Sequence, residues 1–343
     1  MEVSVVILNW NGRELLEKML PAVVSHTSGD LAGTAGDGTP IASIAEVVVA
    51  DNGSTDGSVE MLAKEFPTVR VIRFDTNHGF AGGYNKAIDT IESRYTVLLN
   101  SDVETTPGWL VPLYDFMQAN PDCGAVQPKI LSWRERDRFE YAGAAGGYLD
   151  RNGFPFCRGR VFDTVERDEG QYDGAPARVA WASGAALMVR TDLYRKVGGL
   201  DERFFAHMEE IDLCVRIAGA GYKVMAVTQS AVYHIGGASL PHGDPRKVYL
   251  NFRNNLLLLH KNMPRREGKR LLFRRRLLYD TTAWAMMMLK LQWSSAMAVL
   301  RAHRDFRRMK KLYTDFPDRN LFAGLPGHDR NIVTDYYLKR KRK

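Results

Sequence analysis

Short apolar runs alternate with amphipathic segments along the first 120 residues of the chain. Apolar, β-branched runs predict strands over residues 3–9, 47–51, 69–74 and 95–100, and helical spacing of apolar residues predicts helices over 13–25, 57–66, 80–91 and 109–120. Nearly continuous apolar strands separated by helices are typical of a parallel sheet covered on both faces. We therefore predict an α/β fold, with the Gly-rich stretch 28–43 as a surface insertion.

The pattern is less regular in the middle of the chain. Residues 139–175 are rich in Gly, Arg and Asp and predict active-site loops or a short β excursion. A strand over 181–190, a helix from Thr191, a helix over 209–218 and a strand over 222–227 follow.

The composition changes after Pro264. This change predicts a catalytic domain over 1–264 and a basic helical extension over 265–343. Basic helices bracket its most apolar segment, 283–291, and Asp280 and Lys290 interrupt the apolar run. It is shorter than the roughly 20 apolar residues of a membrane-spanning helix. It suits either a buried bundle helix or a helix lying in the membrane interface.

Charge is distributed unevenly along the 343 residues. The formal net charge is +7, yet 14 Lys and Arg stand against three acids between Arg265 and Lys311, and the tail KRKRK adds five positive charges. An acidic body with a basic C-terminal region does not resemble a nucleic-acid binder whose folded face is basic throughout. It suits a catalytic body that rests on an anionic membrane surface.

Cysteine usage and the N-terminus bear on the cellular compartment. The three cysteines are widely spaced without a CxxC pair, which disfavours a disulfide framework or a zinc cluster. Met1 and Glu2 lead directly into VSVVILN, without the basic and small-residue features of a signal peptide. We therefore expect a cytoplasmic protein, peripheral on the inner face of the membrane.

Polar side chains gather where three predicted strands end. These ends read ILNWNG, with Asn9 and Asn11; VVADNGSTDGS, with Asp51 and Asn52; and LLNSDV, with Asn100, Ser101 and Asp102. In a parallel sheet, ligands bind outside the carboxyl ends of the strands. We expect these side chains to face one crevice.

Two carboxylates at these ends have more than one interpretation. Asp102 suits a ligand for Mg²⁺ or Mn²⁺ that grips a diphosphate, but Asn100, Ser101 and Asp102 also suit a turn with a helix cap. Asp51 can accept hydrogen bonds from a nucleotide base or ribose, or satisfy the turn at Gly53. No GxGxxG follows the first strand, which disfavours a nicotinamide-dependent dehydrogenase.

Eight motifs in order give the chain a family resemblance. They are ILNWNG, DNGSTDGS, NHGFAGGYN, LLNSDV, ASGAALMVR, GGLDERFF, MEEIDLCVR and HIGGAS, between residues 3 and about 260. This set resembles the bacterial family 2 glycosyltransferases, particularly the rhamnosyltransferase-like members. The resemblance implies an A-type glycosyltransferase fold, that is, a Rossmann-like, mostly parallel sheet with flanking helices, here with a C-terminal helical extension.

The resemblance also implies roles for nucleotide-binding residues. Asp51 matches the acid that binds the base, with Asn9, Asn11 and Asn52 around it. The segment that closes over the nucleotide is matched by Asn77, Gly79 and Asn85.

The D-x-D element of the family is only partly kept. Asp102 matches its last acid, which binds the metal, whereas Asn100 replaces its first Asp beside Ser101. The metal ligand is therefore retained, and the contact at Asn100 is the point of departure from the family.

Further roles implied by the resemblance lie later in the chain. Glu210 and Glu209 match the element that supplies the catalytic base, with Glu210 preferred, since a positioned carboxylate can deprotonate an acceptor hydroxyl. His234 matches a histidine that completes the metal shell in several relatives. Arg253 either approaches the diphosphate or packs.

Together these matches imply an inverting glycosyltransferase that depends on Mn²⁺ or Mg²⁺. It would transfer a sugar, with rhamnose from dTDP-rhamnose as the first candidate and UDP-sugars also open, to a lipid-linked or polysaccharide acceptor in cell-surface glycan synthesis. The alternative is a non-catalytic scaffold that binds a sugar nucleotide or a glycan at the membrane.

Overall fold

A computed structural model describes residues 1–236 and 244–340, without the side chains of residues 274 and 275. Residues 237–239 of the HIGGAS motif and residues 341–343 of the basic tail lie outside the described part.

The strands are β1 (Val3–Asn9), β2 (Ala45–Asp51), β3 (Arg70–Arg73), β4 (Tyr95–Asn100), β5 (Val103–Thr105), β6 (Cys123–Ser132), β7 (Gly147–Leu149), β8 (Pro155–Cys157), β9 (Arg160–Val161), β10 (Thr164–Val165), β11 (Ala177–Val179), β12 (Ala186–Arg190) and β13 (Lys223–His234). The helices are α1 (Arg13–Thr27), α2 (Ile41–Ile44), α3 (Ser58–Glu65), α4 (Gly79–Asp89), α5 (Leu110–Ala119), α6 (Thr191–Lys196), α7 (Glu209–Gly219), α8 (Pro245–Lys261), α9 (Arg265–Leu271), α10 (Leu277–Leu289) and α11 (Trp293–Met309).

The large sheet has the strand order β11-β13-β6-β12-β4-β1-β2-β3, and β5 pairs with β13. β3, β2, β1 and β4 are parallel, as predicted. The remainder is mixed, because β12 runs antiparallel to β4 and β6. β13 is longer than predicted; it continues past an irregularity between Val227 and Ala231 and stays paired with β6 up to His234.

The strand register sets the edge at which the site lies. Asn9 is paired with Asp51, and Leu8 is paired with Asn100. Three adjacent parallel strands therefore end side by side, as expected from the sequence.

Both faces of the sheet are covered. Val6, Val48 and Leu98 belong to one buried cluster, whereas their chain neighbours Val5 and Val97 belong to the other. Since successive side chains of a strand point to opposite faces, the apolar runs fill two cores at once. Residues 139–175, predicted to form active-site loops or a short β excursion, contain the small antiparallel sheet β7 to β10.

The C-terminal helices differ in burial. Phe306, Tyr313 and Phe322 belong to one of the two main cores, so this region packs onto the rest of the chain. In α10, by contrast, Asp280 is the buried residue, although the helix is strongly apolar. None of the helices in the described part combines the length and apolar content that a bilayer-spanning segment requires. The division at residue 264 stays a prediction.

Candidate active site

The turn after β2 holds Asp51 at the sheet edge. Asn9 Nδ2 donates to Asp51 Oδ2 at 3.1 Å, and the Ser54 amide donates to Asp51 Oδ1 at 3.0 Å. Gly53 has a φ of 76°, and a Cβ there would lie 3.0 Å from the Thr76 backbone, so the turn requires glycine. Asn9 Oδ1 is buried without a partner among the described residues, which leaves one acceptor available beside the carboxylate.

The segment 77–79 closes onto this turn. Asn52 Nδ2 donates to Asn77 Oδ1 at 2.9 Å, and Asn52 Oδ1 accepts from the His78 amide at 2.9 Å. Asn77 Oδ1 also accepts from the Gly79 amide at 2.8 Å. Asn52, Asn77 and Gly79 therefore lie together, whereas their binding role stays a prediction.

Three other candidates make contacts within the protein. Asn11 Oδ1 accepts from the Thr55 amide at 2.8 Å, which joins the first and second strand ends. Asn85 Nδ2 donates to the Leu200 carbonyl at 2.8 Å. Arg253 Nη2 donates to the Phe204 carbonyl at 2.7 Å. The polar groups of these three residues thus connect loops to the scaffold, and their proposed nucleotide contacts are untested.

Asp102 and His234 meet across the edge of the sheet. Asp102 Oδ1 lies 3.1 Å from His234 Nε2, and both residues are buried. The Ser101 and Asn9 side chains both lie next to Gly12: a Cβ added to this glycine would be 4.0 Å from Ser101 Oγ and 2.6 Å from Asn9 Oδ1. The ends of β1, β2, β4 and β13 therefore form one continuous polar row.

Glu140 is part of this cluster and was missed by sequence reasoning. Its Oε2 lies 3.5 Å from His234 Nδ1, on the opposite side of the ring from Asp102. It comes from the stretch between β6 and β7, which has no periodicity and no motif that would mark it. Carboxylates in this position orient metal-binding histidines in many proteins.

The charges in this cluster depend on one another. Burial lowers the pKa of His234, but the neighbouring carboxylates of Asp102 and Glu140 outweigh burial and raise it to about 10. Burial raises the pKa values of Asp102 and Glu140, but His234 brings both below their usual range. The cluster is therefore an imidazolium between two carboxylates.

The donor atoms fit a divalent cation. Adjacent ligands in an octahedral shell with bonds of about 2.1 Å lie about 3 Å apart, close to the 3.1 Å between Asp102 Oδ1 and His234 Nε2. Within the described residues, no group of three or more His, Cys, Asp and Glu side chains is placed so that all of them could hold one metal ion. Such a pair suits a cation that completes its shell with phosphate oxygens and water.

Glu209 and Glu210 begin α7 and carry unpartnered carboxylate oxygens. The Oε2 atoms of both residues are buried without a hydrogen-bond partner among the described residues. Glu210 lies beside Gly184, where an added Cβ would be 3.5 Å from Glu210 Cβ. Gly184 directly precedes Ala185, whose carbonyl accepts from the Asn100 amide at 3.0 Å. Glu210 thus lies close to the end of β4, where Asp102 follows.

Burial perturbs both acids. It raises the pKa of Glu210 to about 7, and burial together with the charge of Glu210 raises that of Glu209. Asp212 differs, since Lys261 Nζ lies 2.9 Å from its Oδ2 and Arg216 lies 2.8 Å from the same oxygen. A raised pKa in a carboxylate without a cationic partner is typical of a general base.

A strained loop leads into α7. Phe205, His207 and Met208 have φ values of 67°, 68° and 76°, which are unfavourable for residues with a Cβ. Asn254 holds this loop, because its Nδ2 lies 2.9, 2.7 and 2.7 Å from the carbonyl oxygens of Phe204, Ala206 and His207. The position of Glu210 therefore depends on a buried amide on α8.

Replacing Asn254 by alanine should lower kcat by about tenfold and destabilise the fold by about 2 kcal/mol, because buried carbonyls lose their donor. Asn255→Ala is the matched control. Its Nδ2 is also buried but donates to the Gly153 carbonyl, away from the loop. Steady-state kinetics and urea unfolding of both variants check this prediction. Equal losses of kcat in the two variants would show that Asn254 acts on stability alone.

Comparison with known proteins shows which proteins the chain resembles. Residues 4–159 match Glycosyl transferase family 2. N-acetylglucosaminyl-diphospho-decaprenol L-rhamnosyltransferase of Mycobacterium tuberculosis is 31% identical over 205 residues, which cover 55% of this chain and 66%, just under two thirds, of that relative. The low-salt glycan biosynthesis hexosyltransferase Agl10 of Haloferax volcanii is 24% identical over 267 residues, covering 75% of each chain.

Solved structures show the same fold. S. aureus TarS 1-349 in complex with UDP-GlcNAc has a TM-score of 0.57 at 15% identity, covering 89% of this chain and 80% of that one. The mannosyltransferase PcManGT of Pyrobaculum calidifontis, in complex with GDP-Man and Mn²⁺, has a TM-score of 0.51 at 16% identity, covering 92% and 88%. The predicted A-type glycosyltransferase fold is confirmed. Residues 4–159 of this chain match glycosyltransferase family 2, and the chain is similar to a rhamnosyltransferase.

Proposed function

We propose that the chain is an inverting, metal-dependent glycosyltransferase that transfers a sugar from a nucleotide diphosphate to a lipid-linked or polysaccharide acceptor. The observation that carries this proposal is the position of Asp51, Asp102 and Glu210 along one edge of the sheet. Asp51 is suited to bind a nucleotide, Asp102 to bind a cation, and Glu210 to remove a proton.

The similar proteins support a nucleotide-sugar donor. The similar structures include complexes with UDP-GlcNAc and GDP-Man, and the M. tuberculosis relative is named for rhamnose transfer to a diphospho-decaprenol-linked sugar. Rhamnose from dTDP-rhamnose is the first candidate. The Asp51 carboxylate and the free Asn9 Oδ1 provide acceptors for base and ribose donors.

The reaction follows from the acids at the start of α7. Glu210 removes the proton of the acceptor hydroxyl as that oxygen attacks the anomeric carbon, and the pKa of Glu210, raised by burial, favours proton uptake. The nucleotide diphosphate leaves from the opposite face, so the anomeric centre is inverted. A divalent cation held by Asp102 and His234, with Mn²⁺ or Mg²⁺ as candidates, would neutralise charge on the leaving diphosphate.

The alternative is a non-catalytic scaffold that binds a sugar nucleotide or a glycan at the membrane. Burying two adjacent carboxylates without cationic partners is costly for folding. A binding protein has no need of that arrangement, whereas a general base does. The buried Oε2 atoms of Glu209 and Glu210 therefore favour the enzyme.

A thermal-shift screen of dTDP-rhamnose, UDP-sugars and GDP-mannose, each with and without Mn²⁺, tests the proposed function. We expect the true donor to raise the melting temperature by several degrees in the presence of Mn²⁺, because a ligand at 100 times its Kd stabilises the fold by about 2.7 kcal/mol. The same donor should then be hydrolysed slowly, with release of the nucleoside diphosphate. Binding without any turnover, even with an acceptor, would indicate the scaffold instead.

A further inference from the structure

A cleft separates the start of α8 from α11, away from the polar row at the sheet edge. Its volume is about 410 Å³, and its lining includes Arg246 and Tyr249 of α8 together with Met297, Leu300, Arg301 and Arg304 of α11. This volume lies within the usual range for small-molecule sites. The lining combines cations with exposed apolar side chains.

Two of the cleft's cations have no anionic partner. Within residues 1–236 and 244–340, no carboxylate forms an ion pair with Arg246 or Arg301, whereas Arg304 lies 3.2 Å from Asp305 Oδ1. Cleft arginines without a carboxylate partner suit a phosphate or diphosphate, which their guanidinium groups can bind through two parallel hydrogen bonds. The cleft therefore favours an anionic group with several oxygens.

The apolar part of the cleft continues over the neighbouring surface. Met297 is 60% exposed and Leu300 is 47% exposed. Leu289, Leu291 and Trp293, at the junction of α10 and α11, are 84%, 71% and 56% exposed. An apolar surface of this kind beside unpaired arginines matches an amphiphile with a phosphate head and a hydrocarbon chain. A symmetric contact between two copies would bring like-charged arginines together, which opposes association.

The cleft is connected to the catalytic loop by two side-chain contacts. Tyr249, in the cleft wall, lies 3.4 Å from Arg253 Nη1, and Arg253 Nη2 donates to the Phe204 carbonyl at 2.7 Å. Phe204 begins the strained loop that ends at Glu209. A ligand in the cleft is therefore connected, through Tyr249 and Arg253, to the loop that leads to Glu209 and Glu210.

We propose that this cleft binds the diphosphate and the first isoprene units of a lipid-linked acceptor. The inference rests on the proposed function and deepens it by giving the acceptor its own site. Arg246 and Arg301 bind the diphosphate, and Met297 and Leu300 contact the hydrocarbon.

Binding of farnesyl diphosphate to the full-length protein, measured by titration calorimetry, tests this assignment against inorganic pyrophosphate and farnesol. We expect farnesyl diphosphate to bind most tightly and the Arg246→Gln/Arg301→Gln variant to bind it at least about tenfold more weakly. Arg307→Gln is the matched control, since it removes the same charge from α11 outside the cleft. It should change the affinity by less than about twofold.

A second variant keeps the arginines. Met297→Gln/Leu300→Gln changes only exposed side chains, so the fold should persist, and it should abolish the preference for farnesyl diphosphate over pyrophosphate. Equal binding of pyrophosphate and farnesyl diphosphate by the unmodified protein would overturn the proposal, as would an equal loss in Arg307→Gln or no binding at all. Donor binding with Mn²⁺ is measured on the same variants. Donor binding should be unchanged. A wrong assignment of the cleft can therefore be distinguished from a wrong assignment of the proposed function.

Discussion

Glu210→Gln should lower kcat by about a thousandfold while leaving the Kd of the donor within about twofold, because general-base catalysis is typically worth 10²–10⁴. Glutamine keeps the shape of the side chain but cannot accept the acceptor's proton. Single-turnover transfer and donor titration, measured with Mn²⁺, separate the two quantities. A matched loss of donor binding would assign Glu210 a structural role.

The pH profile gives the same residue a second, independent signature. Burial raises the pKa of Glu210 to about 7, so kcat/KM should fall as the pH drops below about 7 and level off above it. The folded state binds this proton more tightly than the unfolded chain does. The contribution of Glu210 to stability is therefore largest below its usual pKa of 4.5 and is lost as the pH rises to about 7. Glu210→Gln should consequently raise the melting temperature at pH 8 relative to the unmodified protein, but not at pH 4.

Glu209→Gln separates the two acids. Glu209 is also buried, and burial together with the charge of Glu210 raises its pKa. If Glu210 is the base, Glu209→Gln should lower kcat by about tenfold or less. A thousandfold loss in Glu209→Gln with near-normal turnover in Glu210→Gln would exchange their roles.

Asp102→Asn should abolish the effect of Mn²⁺ on donor binding and lower kcat by about a thousandfold. The asparagine oxygen is neutral, so the charge that attracts the cation is lost, and His234 alone is a weak site for a hard cation. Titration of the nucleoside diphosphate with and without Mn²⁺ measures this directly, without any need for turnover.

Asp56→Asn is the control for Asp102→Asn. Asp56 Oδ1 accepts from the Ser58 amide at 3.1 Å and Oδ2 accepts from the Arg13 amide at 2.9 Å, so asparagine keeps one of these two acceptors. Donor binding in this variant should respond to Mn²⁺ as in the unmodified protein. Mn²⁺-dependent donor binding that survives in Asp102→Asn would remove Asp102 from the metal site.

Much of the architecture follows from local pattern. β1 and β4 have the predicted bounds, and β2 and α7 differ from prediction by one or two residues, because buried apolar runs and helical spacing are properties of short segments. The mixed half of the sheet was less predictable. The direction of β12 depends on its pairing with β4 and β6, which are separated from it by long stretches of chain.

The apolar runs of the sequence show which strands end in polar groups, and therefore that Asp51 and Asp102 lie at one edge of the sheet. Three other contacts required the folded chain: Glu140 with His234, Asn254 with the loop before Glu210, and Arg246 opposite Arg301. The two groups differ in how far apart along the chain the interacting residues are. The spacing of apolar residues within a strand or helix indicates which of its faces is buried. Contacts between residues about 50 to 100 positions apart depend instead on how the completed elements pack.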